Sequence, residues 1–357
     1  MSKAGGHPPG GLLLLQPAFL GDVVLSTALL ESWHRTHPGE PVRVWVRRGA
    51  EGFFEEHPFV TEVFVWDRSG VGKYRRMFAL AQRARRCKPD VVVNLHRFAS
   101  MSLVASIVGA PSNSAFEGVS GWGRRVICHP HGIGDGRHET ERNHAHIAAW
   151  VGAFRPDLDR PRLHPSGRHQ AAASIHAQGS VVLAPSSIWA TKRWPEKHWS
   201  ELVNVLHDQG EQVLLLGGPL DEALLHNIAN GARKSPVVVA GQLDLLGSAA
   251  LMSKAKALVS NDSAPLHMAG AVGTPVVGVF CSTTSRFGFG ALPGDLGSGK
   301  GKNVELGEAE LACKPCGLHG RGRCPLDHFQ CGHNVGVEAV RAALTEVSSL
   351  PAGGPDS

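Results

Sequence analysis

The strongest constraint in this sequence is an alternation, made twice, of short apolar runs with segments of helical periodicity. In the first half, residues 12–15, 42–46, 62–66 and 90–95 read as strands, separated by helical patterns over 22–34 and 71–86 and followed by one over 99–108. The first and last of these strands are near-continuous apolar runs, as in parallel sheets covered on both faces. Between 118 and 142 the pattern dissolves into Gly, His and Arg, and loops are expected. A second alternation follows, with strands at 180–184, 212–216, 236–240, 257–260 and 275–280 and helices at 195–209, 220–230, 246–254 and 265–271. Strands joined through single helices imply right-handed crossovers and parallel pairing, hence an α/β class. Residues 155–168 hold six charges and three prolines, the composition of an interdomain linker. With 357 residues the chain exceeds the roughly 250–300 at which a single core stops growing. The expected organisation is therefore an N-terminal Rossmann-like domain over 1–160, a C-terminal one over 175–345, and a disordered tail at 350–357.

Charge and cysteine usage narrow the function classes. Lys and Arg number 36 against 31 Asp and Glu, a surplus of +5 too small and dispersed for nucleic acid but suited to anionic small molecules or an anionic membrane surface. The apolar run at 12–15 ends at Gln16 and Pro17, far short of a spanning helix or signal-peptide core, so a cytoplasmic chain is expected. Seven cysteines, with Cys87, Cys128 and Cys281 isolated, do not form a secreted disulfide framework.

In open parallel sheets ligands sit outside the carboxyl ends of strands, so three strand-to-helix turns are the candidates. In the first, Asp22 fits two roles: helix N-cap, or a carboxylate able to take a proton from a hydroxyl. The second, 185–194, places Ser186 and Ser187 after a strand and Lys192 and Arg193 before a helix, which suits either a surface loop or a phosphate site. It has neither the P-loop spacing nor a dinucleotide fingerprint. The third, 260–267, reads as an ordinary capped helix start with Pro265 in its first turn, or as a terminus whose amides hold a diphosphate.

Taken in order, these turns resemble glycosyltransferase family 9, the bacterial heptosyltransferases. The resemblance rests on L-G-D-V-V-L-S-T at 20–27, P-S-S-x-W-x-T-K-R-W-P at 185–195, L-L-L-G-G-P-L-D-E at 214–222, N-D-S-A-P-L-H at 261–267 and G-T-P-V-V-G-V-F at 273–280. It implies a GT-B architecture, two Rossmann-like domains facing a central cleft, with the acceptor on the N-terminal domain and a nucleotide-diphosphate sugar, usually ADP-heptose, on the C-terminal one. By this resemblance Asp22 is the catalytic base and Lys192 the diphosphate cation. Ser186 and Ser187 are phosphate donors, and Asp221 or Glu222 holds the ribose. Asp262, with Ser263, Ala264 and His267 after it, contacts the sugar diphosphate, and Leu243 falls near the adenine. Ala264 stands where the family motif usually has Gly. The implied reaction is inverting transfer to the lipid A inner core at the inner face of the inner membrane, with no cofactor required.

Two further groups remain. Lys73, Arg75, Arg76, Arg83, Arg85, Arg86 and Lys88 cluster on or after one helix, and His96 and Arg97 follow the strand at 90–95. They read either as a solvated face or as contacts to an anionic acceptor and membrane, with Arg75, Arg76, His96 and Arg97 the acceptor candidates. The cluster Cys313-x2-Cys316-x7-Cys324-x6-Cys331 could close a structural Zn²⁺ site, hold an iron–sulfur cluster, which suits a transferase less well, or remain thiols or a local disulfide. Competing functions are transfer from another nucleotide sugar, a nucleotide-sugar epimerase of the same fold, and a non-catalytic metal or redox protein built on those cysteines.

Overall fold

The structure, a computed structural model, describes residues 10–117, 126–130, 132–173, 179–292 and 301–349; the tail expected at 350–357 lies outside them. The chain divides into two compact units, Met1–Gly132 with Glu139–His164, and Ile133–His138 with Pro165–Ser357.

Unit 1 runs β1 (Leu12–Leu15), α1 (Leu20–Thr36), β2 (Val42–Arg47), β3 (Val60–Trp66), α2 (Lys73–Arg86), β4 (Val91–Asn94), α3 (Ala99–Val108), β5 (Ser112–Phe116), β6 (Val126–His129), α4 (Glu139–Ala145) and α5 (Ala148–Val151). Its six strands form one parallel sheet in the order β3-β2-β1-β4-β5-β6. Leu13, Leu15, Trp45, Phe64, Trp66 and Val92 of the sheet pack with Met77, Ala81 and Ala84 of α2 and Met101, Val104 and Val108 of α3. Helix α1 is buried along most of its length. Its hydroxyls Ser26, Thr27 and Ser32 are satisfied by carbonyls three or four residues back, so these three polar side chains sit inside the unit paired.

Unit 2 runs α6 (Gly167–Ala173), β7 (Val181–Ala184), α7 (Glu196–Asp208), β8 (Val213–Gly217), α8 (Glu222–Asn230), β9 (Val237–Ala240), α9 (Leu245–Lys254), β10 (Ala257–Asn261), α10 (Ala264–Ala271), β11 (Val276–Phe280), β12 (Gly301–Glu305), α11 (Gln330–His333) and α12 (Val337–Ser349). The sheet is again six-stranded and parallel, in the order β12-β11-β10-β7-β8-β9. The α/β class with two parallel sheets is the one expected. Each sheet reverses its strand order once, between β1 and β4 in unit 1 and between β7 and β10 in unit 2, and such reversals open a crevice at the strand ends.

Two local expectations are corrected. The region 118–142, expected as loops, contributes β6 and the start of α4, whose buried Glu139 and Arg142 pair with each other. Asp22 is not a helix N-cap: α1 begins two residues earlier, Phe19 is the cap, and Asp22 at the third position reaches back to accept from the Phe19 N–H at 3.2 Å. Within the charged segment 155–168, Asp159 is fully buried against α1. It accepts from Ser32 Oγ at 2.7 Å, from the Arg155 N–H at 2.7 Å and from the Arg35 guanidinium.

Candidate functional site

In unit 2 the turns after β7 and β10 meet. Asn261, buried at the end of β10, accepts from the Trp194 N–H at 2.9 Å and donates to the Pro185 carbonyl at 2.6 Å, so one amide side chain spans the whole 185–194 loop. Replacing it would leave buried backbone groups unpaired, at about 1–3 kcal/mol each. Across this bridge Lys192 Nζ lies 2.6 Å from Asp262 Oδ2, which also accepts from Thr283 Oγ1 at 2.6 Å. The lysine and aspartate side chains are only 13% and 9% exposed, so the pair is largely shielded from solvent. Helix α10 begins two residues after Asp262, with Ser263 as its N-cap and Pro265 in its first turn. The Ser263 hydroxyl makes no cap bond and lies 3.2 Å from Ser260 Oγ. Ala264 is the first helical residue.

His267 sits one turn into α10, beside the ion pair. Burial, offset in part by Asp262 and reinforced by Lys192, lowers its pKa to about 4, so the ring is neutral near pH 7. Its Nδ1 is shielded and unpartnered. A cation, a neutral imidazole and a helix N-terminus thus share one place, the arrangement that favours an anion.

The neighbouring strand β8 brings the ribose candidates. The Asp221 carboxylate accepts from the Gly218 N–H at 2.8 Å and from Ser186 Oγ, which joins two residues expected to contact different parts of a ligand. Glu222, exposed in the first turn of α8, keeps its carboxylate free of hydrogen bonds among the described residues. Ser187 is buried, and its carbonyl accepts from Arg193 Nε at 2.7 Å. Leu243 is half-buried, two residues before α9, and packs near Gly247.

The cysteine-bearing loop supports the Lys192 turn, a relation that spacing alone did not show. Thr191 donates its N–H to the Arg321 carbonyl at 3.0 Å, and its hydroxyl accepts from the Arg321 N–H at 2.8 Å and from Ser282 Oγ at 2.9 Å. The Cys316 N–H donates to the Ser282 carbonyl at 2.9 Å. Cys313, Cys316, Cys324 and Cys331 are free thiols. Burial, and then the neighbouring cysteines, raise the pKa of Cys316 and of Cys331, the latter to about 11. Proximity of this kind penalises thiolates until a cation offsets them. The four sulfurs do not converge within 4.8 Å of one another, and Cys313 Sγ is 3.9 Å from His328 Nε2.

In unit 1 the switch point holds Asp22, after β1, and His96 and Arg97, after β4. The sequence reading missed Glu139 and Arg142 of α4, a buried pair with Nε to Oε2 at 2.8 Å. Burial foremost, with a contribution from Asp22, raises Glu139 to about 7, while Arg142 and Arg97 oppose the shift. Asp22, Arg97 and Glu139 therefore share one electrostatic neighbourhood. The i,i+3 spacing of Glu139 and Arg142 was the available signal, hidden by the absence of an apolar pattern around it. Asp22 also acts on Arg47, whose guanidinium lies 4.8 Å from the Phe19 ring. His96 is buried, and burial first, then Arg68 and Arg97, lower its pKa to about 4. Arg97 is exposed.

The α2 candidates behave differently. Arg76 donates to the carbonyls of Asp67, Ser69 and Val71, so it fastens the loop before α2. Arg75 is exposed, and Arg83 pairs with Glu62. Tyr74, Phe78, Phe98 and Leu103 of α2, α3 and the residue before α3 are exposed as well. Among the described residues no helix is long and apolar enough to cross a membrane.

Comparison with known proteins adds to this geometry. Residues 77–292 match the family model for glycosyltransferase family 9 (heptosyltransferase). Lipopolysaccharide heptosyltransferase 1 of Pseudomonas aeruginosa is 26% identical over 330 residues, 85% of either chain. A glycosyl transferase family 9 structure from Veillonella parvula matches with a TM-score of 0.74 at 19% identity, over 94% of this chain and 97% of that one. The structure of E. coli ADP-heptose LPS heptosyltransferase II matches at 0.72 and 19% identity, over 95% and 98%. At such identities the structural likeness establishes the fold.

Proposed function

Since the chain belongs to glycosyltransferase family 9, the heptosyltransferases, we propose that it moves a heptose from a nucleotide-diphosphate sugar, ADP-heptose first, to the inner core of lipopolysaccharide with inversion at the anomeric carbon. The observation that supports this most is the shielded Lys192–Asp262 pair beside the start of α10. An incoming diphosphate competes with Asp262 for the ammonium and gains the α10 amides, including those at Ser263 and Ala264. The charge that develops on the leaving group is met in the transition state by the same cation and helix end, without an obligatory Mg²⁺. Neutral His267 adds no charge of its own and can share a hydrogen bond with the ligand.

Asp22 takes the proton of the acceptor hydroxyl as its oxygen bonds to the anomeric carbon. The bond from that carbon to the diphosphate breaks with its electron pair on the phosphate oxygen. Glu222, with its free carboxylate, is better placed than Asp221 to hold the ribose hydroxyls, and Asp221 positions Ser186 for phosphate. Leu243 covers the adenine. His96 and Arg97 meet the anionic acceptor, with Arg75 further out. The exposed Tyr74 and Phe78 of α2, on the helix that also carries the exposed Arg85 and Arg86, with the exposed Phe98 and Leu103, suit the headgroup boundary of the inner leaflet and support the reading that the protein works at the cytoplasmic face of the inner membrane. The cysteine cluster is proposed to hold a structural Zn²⁺ that fixes the loop behind Lys192.

The direct test is ADP release from ADP-heptose with and without a lipid A-core acceptor. Release should require the acceptor; donor consumption at the same rate without it would replace transfer by epimerisation or hydrolysis. The support given to the Lys192 turn is tested separately at Gly320. A Cβ there would lie 2.4 Å from Trp189 Cβ and 2.8 Å from Lys192 Cγ, so Gly320→Ala must push the turn aside. The expected result is a fall of about 10- to 100-fold in kcat/KM for the donor, the scale of a displacement near 1 Å, with the far-ultraviolet circular dichroism unchanged. Wild-type kinetics would show that the loop does not set the position of Lys192.

A further inference from the structure

Glu31 lies on α1 nine residues beyond Asp22, about 14 Å further along the helix axis at 1.5 Å per residue. There it meets two imidazoles from distant parts of unit 1: His57, in the loop before β3, and His164, at the end of the charged segment. His164 Nε2 and Glu31 Oε1 are 2.7 Å apart, and the His57 and His164 rings lie 4.6 Å apart at 73°. One ligand atom from each of the three residues falls within 4.8 Å of the other two. Phe59 walls the cluster. It meets His57 edge-on at 4.5 Å and His164 at 6.1 Å, while His34 stacks on it at 4.1 Å.

His57 is the residue this packing leaves unexplained. Its Nε2 is shielded from solvent and has no hydrogen-bond partner among the described residues. Its Nδ1 receives only long contacts, 3.5 and 3.3 Å, from the N–H groups of Phe59 and Val60. Neutral imidazole and ionised carboxylate are the forms that bind metals. The Glu31 and His164 side chains, 15% and 29% exposed, leave an entry path.

We propose that Glu31, His57 and His164 form a binding site for one divalent transition-metal ion of the Zn²⁺ type. Two nitrogen donors and one carboxylate select such an ion over Ca²⁺ or Mg²⁺, and water completes the coordination. Binding requires the donors to close to separations of about 3.3 Å, as 2.0–2.1 Å bonds in a tetrahedral site demand. A metal on Nε2 displaces its proton, either to solvent or to Nδ1, where the long amide contacts are the ones that yield. The ion would clamp α1, the loop before β3 and the end of the 155–164 segment together. It is a second fastening of that segment, beside the buried Asp159.

The test uses the full-length, tag-free chain, stripped of metal and freed of chelator, titrated with Co²⁺ and separately with Zn²⁺. Cobalt on thiolates gives intense near-ultraviolet charge-transfer bands, whereas a nitrogen and oxygen site gives only weak visible bands, so the cysteine cluster is read apart. Wild type should bind one Co²⁺ with the weak spectrum and melt higher on adding Zn²⁺. His57→Gln and His164→Gln should each weaken that equivalent at least tenfold and leave any thiolate band unchanged. Glu31→Gln, a change at a partly exposed position, should do the same and keeps the test valid if a histidine variant melts early without metal. Retention of the weak-spectrum site in these variants, or thiolate-type binding alone in wild type, would overturn the proposal.

Discussion

Asp22→Asn should lower turnover with ADP-heptose by about 10²–10⁴-fold, the usual contribution of a positioned general base, while ADP affinity measured by calorimetry stays within twofold of wild type. The substitution is close to isosteric. Its side-chain oxygen can still accept from the Phe19 N–H, so the start of α1 is retained and only the charge and the basicity are lost. Because Asp22 helps to raise Glu139, the variant should also let Glu139 ionise at a lower pH. Wild-type turnover in Asp22→Asn would remove Asp22 from the chemistry and make Glu139, whose titration Asp22 influences, the next carboxylate to examine.

Lys192→Ala should act on both binding and rate. Removing one preorganised donor from a developing anion costs about 10²–10³ in kcat, and here the lost group also carries a full charge. ADP affinity should fall at least tenfold, since Asp262 would be left facing the diphosphate with only Thr283 to occupy it. The variant should also melt earlier, because breaking a largely shielded ion pair strands the remaining carboxylate. Calorimetry with ADP and steady-state kinetics with the sugar nucleotide check the two effects; unchanged KM and kcat would detach Lys192 from the diphosphate.

Much of this architecture was legible because parallel strands covered on both faces announce themselves as apolar runs. β1, β4, β7, β8, β10 and β11 all carried that mark. The elements that went unread lack it for physical reasons. β5, with Ser112, Asn113 and Ser114, buries polar side chains, of which Ser114 bonds to the His146 ring at 2.9 Å and Asn113 to the Ala110 carbonyl at 3.2 Å. β12 is an edge strand of mostly polar residues. Helix α4 is stabilised inside the unit by Glu139 and Arg142, so its pattern is electrostatic where periodicity looks for apolar residues. Helix α12 did carry a stripe, Val337, Val340, Leu344 and Val347, which packs on the unit 2 core; it was overshadowed by the cysteine cluster before it.

The site was legible to a different degree. The turns holding Lys192, Asp262 and Glu222 stood out as motifs, and Lys192 and Asp262 prove to be in contact. Three relations could not be read from spacing. Asn261 ties two turns from strands 76 residues apart, Thr191 binds a loop 130 residues downstream, and Ser186 pairs with Asp221. The first and third depend on which strands are neighbours in the sheet, and strand order is a property of the folded topology; the second depends on where a long loop folds back.

The hold of Asn261 and Thr191 on the 185–194 turn has a consequence for how often order must be made anew. Fixing a backbone residue costs about 1–2 kcal/mol of entropy, and a floppy recognition loop of ten residues would face that cost at every encounter with its ligand. Here the Asn261 amide at one strand end, and the bonds of Thr191 to the Arg321 backbone of a later loop, impose the loop's shape when the chain folds. Successive ligands then meet a surface set once, and more of their contact energy remains available for discrimination and for the transition state.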